Sequence, residues 1–385
     1  MDDLQRAITL SQAAVDQAPT GFSGRSGLLH NLGMTLRDWY SRTGDLAALE
    51  RAIAAHEEAV ATTRPGSPAL WLHLSGLGLA LFDRFRRTGN RSDLDRCIST
   101  QQEALAGVPT YSSVRYVCLN TLGNALRVRA GLTNNVEDLL SSVKTLEEGI
   151  SAGPSNSPLT VVMLSNLGLA WGLLAEATRK PSDLDAAIEI QRRAIDLTPM
   201  TSIFRSASLA ALGMSLRERY NWSGDSHDLR GAIDSFREAC NAGIISHTEQ
   251  ALETAQVWAA WAVARRSWNE AADAYQFALW ATQNLFQAQL VRRHKETWLV
   301  LVRGLHGRAA LTIAMVGDAQ AAALTLERGR AMLLSEALER NRADLRRLAE
   351  LGHQDLAERY WRAAGHVAEL SALGDTAAVT PRPIA

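Results

Sequence analysis

Apolar residues recur along this chain in two registers at once. The short register is helical: Leu28, Leu29, Leu32 and Leu36 fall at the three- and four-residue steps that line one face of a helix. The long register is 45 residues. Leu32, Leu77, Leu122, Leu167 and Leu212 stand at that spacing, and each is followed by a glycine: Gly33, Gly78, Gly123, Gly168 and Gly213. Leu49, Leu94, Leu139, Leu184 and Leu229 form a second column, and Ile53, Ile98, Val143, Ile188 and Ile233 a third. Small residues hold a fourth, at Ala59, Ala104, Gly149, Ala194 and Ala239. Pro19, Pro109, Pro154 and Pro199 make a fifth, with Pro65 one place late. Chance does not align five columns over five copies.

Each copy reads as two antiparallel helices. Helix A of the first covers roughly residues 26–41, and Gly44-Asp45, Gly89-Asn90 and Gly224-Asp225 supply the turn after it. Ser92-Asp93 and Pro181-Ser182-Asp183 then read as N-terminal caps of helix B. Helix B runs through Leu49, Ile53 and Ala59 and ends before the proline column, which cannot continue a helix. The Gly33-type position predicts a close approach of helix A to its partner, and the Ala59-type position the same for helix B against the next helix A. No such unit buries its apolar face alone, so stacking supplies the stability.

The Leu-Gly pair in helix A, with small residues seven apart in helix B (Ala52 and Ala59, Ala187 and Ala194), resembles the tetratricopeptide repeat (TPR). The usual unit is ~34 residues, so the A-to-B connection and the helix ends are expected to be longer here. Asn31-Leu-Gly-Met-Thr-Leu-Arg-Asp-Trp-Tyr, Arg42-Thr-Gly-Asp-Leu and Ser182-Asp-Leu-Asp-Ala-Ala-Ile are more specific. They resemble repeats that precede CHAT-type caspase-like protease domains in bacteria. The resemblance implies an all-α fold, a right-handed superhelical solenoid of TPR-like hairpins followed by a C-terminal helical segment. It also implies a sensor or recruitment module, with a fused or adjacent caspase-like protease as a partner.

From about His247 the period breaks. Trp268, Ala271, Tyr275 and Ala278 resemble helix B of one ordinary-length repeat, and a long helix is expected over about residues 288–315, closed by Gly317-Asp318. Glu327-Arg-Gly-Arg-Ala-Met-Leu-Leu-Ser-Glu-Ala-Leu resembles the helix that joins such arrays to the CHAT domain. A last helix is expected over about 354–373, then a disordered tail ending Thr380-Pro-Arg-Pro-Ile-Ala. The expected organisation is repeats at 1–245, irregular repeats and long helices at 246–372, and a tail at 373–385. Asp3-Leu4, Ala7-Ile8 and Ala13-Ala14 match helix B, so the chain is expected to be an excised part of a longer protein or a stand-alone relative with unusual caps.

Composition agrees with a helical body: 46% of residues are hydrophobic and 21% charged. The formal net charge of -1 provides no global field toward nucleic acid or an anionic membrane, so neither is expected as a partner. Lysine occurs only at Lys144, Lys180 and Lys295; either a high-GC genome or a preference for bidentate anion binding accounts for so much arginine. Cys97, Cys118 and Cys240 are scattered, which fits a reducing cytoplasm better than a disulfide framework. No signal peptide is read at the N-terminus, and no stretch is expected to approach the ~20 apolar residues of a membrane span.

Candidate chemistry is thin. A CHAT-type protease needs a His/Cys pair on an α/β domain, and no alternating strand–helix pattern occurs. The cysteines fall at helical packing positions, and the nine histidines show no HExxH pattern or metal spacing. Trp258, Trp261, Trp268 and Trp280 read as core fillers of one hairpin before they read as a ligand cage. No cofactor or metal is implied, and binding is expected rather than catalysis. In TPR arrays helices A line the concave face, at fixed offsets from the Leu-Gly glycine. Three before it stand His30, Ser75, Asn120, Ser165 and Ala210; one after, Met34, Leu79, Asn124, Leu169 and Met214; four after, Arg37, Phe82, Arg127, Gly172 and Arg217. His30, Met34, Arg37, Leu79, Phe82, Asn120, Asn124, Arg127, Met214 and Arg217 are thus the candidate groove. The polar members could instead be solvated, with the arginines paired to acids such as Asp38 and Glu218. The expected ligand is a protein or peptide with acidic groups. A small molecule in the groove, or an unrecognised enzyme on a solenoid, are the alternatives.

Overall fold

The computed structural model describes residues 2–19, 21–154, 157–200, 202, 204–246, 248–289, 304–340, 353–356, 358–359 and 362–363. Every regular element among them is an α-helix. The chain forms two compact units, Met1–Trp258 with Gln283–Leu285, and Ala259–Thr282 with Phe286–Ala385.

In the first unit, α1 (Asp2–Gln17) precedes five helical hairpins. They are α2 (Arg25–Thr43) with α3 (Leu46–Thr62), α4 (Pro68–Thr88) with α5 (Arg91–Gly107), and α6 (Ser113–Thr133) with α7 (Val136–Ala152). Then come α8 (Pro158–Thr178) with α9 (Pro181–Asp196) and α10 (Arg205–Ser223) with α11 (Ser226–Ser246). From α3 to α10 each helix B packs on the next helix A, and each helix A also touches the helix A of the following hairpin. This is a solenoid of TPR-like hairpins at the expected spacing.

The A-to-B turns are short, which corrects the expectation of a longer connection. Gly44, Gly89, Asn134, Arg179 and Gly224 end the A helices in the left-handed conformation, with φ between 55° and 72°. The next residue starts helix B: Asp45, Asn90, Asn135 and Asp225 accept hydrogen bonds from backbone N–H groups two or three residues on. The extra length of the repeat lies in the helices, 21 residues each in α4, α6 and α8. Ser92 and Asp93, expected as caps, lie inside the first turn of α5, as Ser182 and Asp183 lie inside α9.

The glycine column has a defined occupant. A Cβ on Gly33 would sit 2.6 Å from the His56 ring, on Gly78 2.3 Å from Gln101, and on Gly123 2.5 Å from Leu146. On Gly168 it would meet Gln191 at 2.6 Å and on Gly213 Phe236 at 2.8 Å. Each glycine therefore makes room for one side chain of its own helix B, 23 residues later. Ala59, Ala104, Ala194 and Ala239 are fully buried. A Cβ on Gly149 would meet Met163 of the next helix A at 2.8 Å and Leu119 of its own helix A at 3.3 Å, as the small column requires.

Helix α8 corrects the reading of apolar runs: it is 21 residues long and holds an 18-residue window with a mean hydropathy of 1.6, enough by length and composition to cross a membrane. It is packed between α7, α9 and the flanking A helices, with Asn166 and Thr160 buried in its faces. Beyond α11 lie α12 (Thr248–Ala264), α13 (Trp268–Gln289), α14 (Leu305–Val316) and α15 (Ala319–Arg340), of which α14 and α15 pack together. One helix over 288–315 does not occur, since Gly304 at φ 72° starts α14 separately. Most of the expected 354–373 helix and the whole tail lie outside the described residues.

Candidate binding face on the A helices

The three groove columns do not share one environment. The column one residue after each glycine, Met34, Leu79, Asn124, Leu169 and Met214, is half-exposed throughout, Met214 reaching 37%. Three before the glycine, His30, Ser75 and Ala210 are buried, while Asn120 and Ser165 are half-buried. Four after, Arg37, Arg127 and Arg217 remain partly exposed, and Phe82 is buried. His30 at 8% and Phe82 at 7% exposure are therefore not groove residues. His30 meets the rings of His56 and His73, and Phe82 packs beside Phe85 in a core shared with Leu49, Leu94 and Leu126.

Close packing of successive A helices explains the difference, because polar side chains on this face bond across that seam. Arg37 Nε donates to Asp83 of the next helix A at 2.6 Å, so its partner is neither solvent nor Asp38. Asn166 Nδ2 donates to Asn120 Oδ1 at 3.2 Å, the Ser165 and Ser208 hydroxyls pair at 2.9 Å, and the Tyr116 and Thr160 hydroxyls bond as well. Arg127 Nη2 donates to Asn124 Oδ1 at 2.7 Å. Asn120 and Asn124 are thus each engaged within the protein, rather than standing as a ready clamp. Glu218 accepts from Trp222 Nε1 at 2.8 Å and pairs with Arg179, not with Arg217.

At one end of this face three histidines from α2, α3 and α4 converge. The His30 ring centroid lies 5.2 Å from those of His56 and His73. Burial, with the adjacent histidines adding to it, pushes His30 down to about 4 and His56 to about 3. His73 is lowered by burial and hydrogen-bonds Thr63 through Nδ1 at 3.0 Å. Both His56 ring nitrogens are buried without a partner. Among the described residues no group of three or more His, Cys, Asp or Glu is placed to hold a metal ion. The cysteines are fully buried, and burial pushes the Cys97 and Cys240 thiols up to about 12, which disfavours the nucleophilic thiolate. Of the tryptophans, Trp258 is fully buried and Trp261 nearly so, but Trp280 is 42% exposed and does not fill a core.

Two arginine series have partners that the sequence did not reveal, although Arg84 and Arg219 stand in helix ends that read as salt-bridged. Arg84, Arg129 and Arg219 each grip an aspartate nine residues later, Asp93, Asp138 and Asp228, through two hydrogen bonds of 2.6–2.8 Å. Arg25, Arg115 and Arg205, spaced by 90 residues, reach carbonyls at the end of the preceding helix B and a glutamate 33 residues on. The shared spacing was the available signal: Arg84 and Arg129 stand one repeat apart and Arg219 two further on, while the Arg25 series shows only in a search at twice the repeat length.

No protein-family model matches the sequence, and no curated protein matches it. Among solved structures it is similar to the C-terminal part of a TPR repeat-containing protein from Cytophaga hutchinsonii, at 11% identity, covering 78% of this chain and 95% of that one, with a TM-score of 0.44. It is similar to the nearly identical TPR-like repeats of a putative kinesin light chain from Podosopora anserina, at 15% identity, 59% and 99% coverage and a TM-score of 0.39. A human IFIT1 dimer with PPP-AAAA gives 11% identity, 86% and 68% coverage and a TM-score of 0.48.

Proposed function

We propose that this chain is a binding scaffold, and that the exposed face of its A helices receives a polypeptide. The observation that carries this is the half-exposed column Met34, Leu79, Asn124, Leu169 and Met214, repeated on five successive A helices. Apolar side chains with flexible methionines suit a surface that adapts to a partner, and the amide and guanidinium groups beside them supply donors. We further propose a cytoplasmic role beside a caspase-like protease of the CHAT type, supported by the wording of the repeats around Asn31, Arg42 and Ser182. Buried, proton-retaining thiols support a non-enzymatic role.

A photo-crosslinking residue in place of Met214 tests the face, with one in place of Leu140, exposed on helix B, as the control. The expected result in a native lysate is capture of one protein from position 214 and not from 140. Capture from 140 alone would place the partner on the opposite face. A captured protein without a caspase-like domain would overturn the CHAT assignment and leave the scaffold reading standing.

A further inference from the structure

Arg37 and Arg127 occupy equivalent positions two hairpins apart, yet their surroundings differ in one respect. Arg37 is neutralised by Asp83, 46 residues later on the next helix A. The residue 46 after Arg127 is Leu173. Arg127 hydrogen-bonds only the neutral Asn124 and forms no ion pair among the described residues. Its Nε is buried without a partner. Burial, and then the like charge of Arg86, hold the Arg127 guanidinium down to about 10. The fold thus places a partly buried cation on the proposed binding face, with a second cation nearby and no counter-charge of its own. A lone charge in such a place is costly unless something pairs with it.

We propose that Arg127 is the anchor for an acidic side chain of the bound polypeptide, whose carboxylate plays for Arg127 the part that Asp83 plays for Arg37. This rests on the A-helix face being the binding face. A guanidinium suits the task because its planar fork holds a carboxylate through two parallel hydrogen bonds. Arg86, exposed on α4, adds attraction from the neighbouring helix. Asn124 fixes the guanidinium through Nη2, so the anchor is oriented before the partner arrives.

The test uses the full chain and two labelled peptides, hexaglutamate and hexaglutamine, followed by fluorescence anisotropy. The wild type is expected to bind hexaglutamate at least tenfold more tightly than hexaglutamine. Arg127→Met should abolish that preference while melting no lower than the wild type, since it removes an uncompensated charge. Leu173→Asp, which supplies an internal carboxylate at the Asp83-equivalent position, should abolish it too. Arg96→Met, which removes an exposed arginine paired to Glu57 on the B helices, should leave it intact. Hexaglutamate binding that survives Arg127→Met, or that is missing in the wild type, overturns the anchor. So does a lowered melting temperature for Arg127→Met, which would mark the guanidinium as a structural element. Crosslinking from position 214 reports on the face independently, so its failure and the anchor's are separable.

Discussion

At the scale of single residues, the column that fills the glycine notch separates the repeats. Position 56 and its equivalents hold His56, Gln101, Leu146, Gln191 and Phe236, all packed against the Leu-Gly glycine of their own hairpin. The two glutamines pair the backbone there: Gln101 Nε2 donates to the Ser75 carbonyl at 3.1 Å and Gln191 Nε2 to the Gly168 carbonyl at 3.3 Å. His56 makes no such bond and lies against His30, His73 and, in the field it feels, Arg37. His30 and His56 stay neutral in the folded chain down to about 4 and 3, and burial lowers His73 in the same direction, whereas the unfolded chain already takes up protons near 6.5. Stability contributed this way is complete above about pH 6.5 and falls as pH drops through it, because the unfolded state then binds more protons. The melting temperature should therefore decline between pH 7.5 and 5. His56→Gln, borrowing the residue of two sister repeats, should flatten the decline. An equally steep fall in that variant would show that other groups set the acid response.

At the scale of helices, the glycines divide by what surrounds them. Gly131 in α6 has open space where a Cβ would go, so Gly131→Ala should raise stability by about 0.5–1 kcal/mol, read as a higher urea midpoint. Gly168→Leu drives a side chain into Gln191 and its bond to the Gly168 carbonyl, and should cost on the order of 1–3 kcal/mol by overpacking. If both variants unfold at the same urea concentration, the notch has no packing role. Hairpin order, helix B ends and this notch were legible in the sequence, because each rests on a residue type that geometry demands at a fixed spacing. The proposed binding face was legible only in part. Offsets from the glycine locate Met34, Leu79 and Met214 correctly on the surface, but they describe one helix at a time. They cannot foresee how neighbouring helices pack, which buries His30 against His56 and His73 and Phe82 beside Leu49 and Leu94, and which engages Asn120 and Arg37 with the next helix A. The two-residue turn was misjudged for a similar reason. Asn134 and Arg179 take the left-handed conformation that Gly44, Gly89 and Gly224 advertise, without glycine's signature.

At the scale of the whole repeat body, the arginine clasps tie one hairpin to the next. Arg129 on α6 holds Asp138 of its own helix B through two bonds of 2.7 Å and reaches Asp95 on the preceding helix B at 3.1 Å. Arg219 repeats the arrangement with Asp228 and Asp185. The contact with exposed Asp95 contributes at most about 1 kcal/mol, as solvent-facing pairs do. The bond to Asp138 differs, since that carboxylate is buried and its removal from Arg129 strands a charge. Arg129→Met should therefore destabilise the array by about 3–5 kcal/mol. Repeat arrays couple only to nearest neighbours, so the loss should be local in space. Hydrogen exchange is expected to accelerate in α5, α6 and α7, to change less in α4 and α8, and to stay near wild type in α10 and α11, where the Arg219 clasp is intact. Asp138→Asn with Arg129→Met should recover much of the loss, because the stranded charge is then gone. Acceleration spread evenly from α1 to α11 would mean that the hairpins unfold as one cooperative block, and that the clasps bind a single domain rather than a chain of separable units.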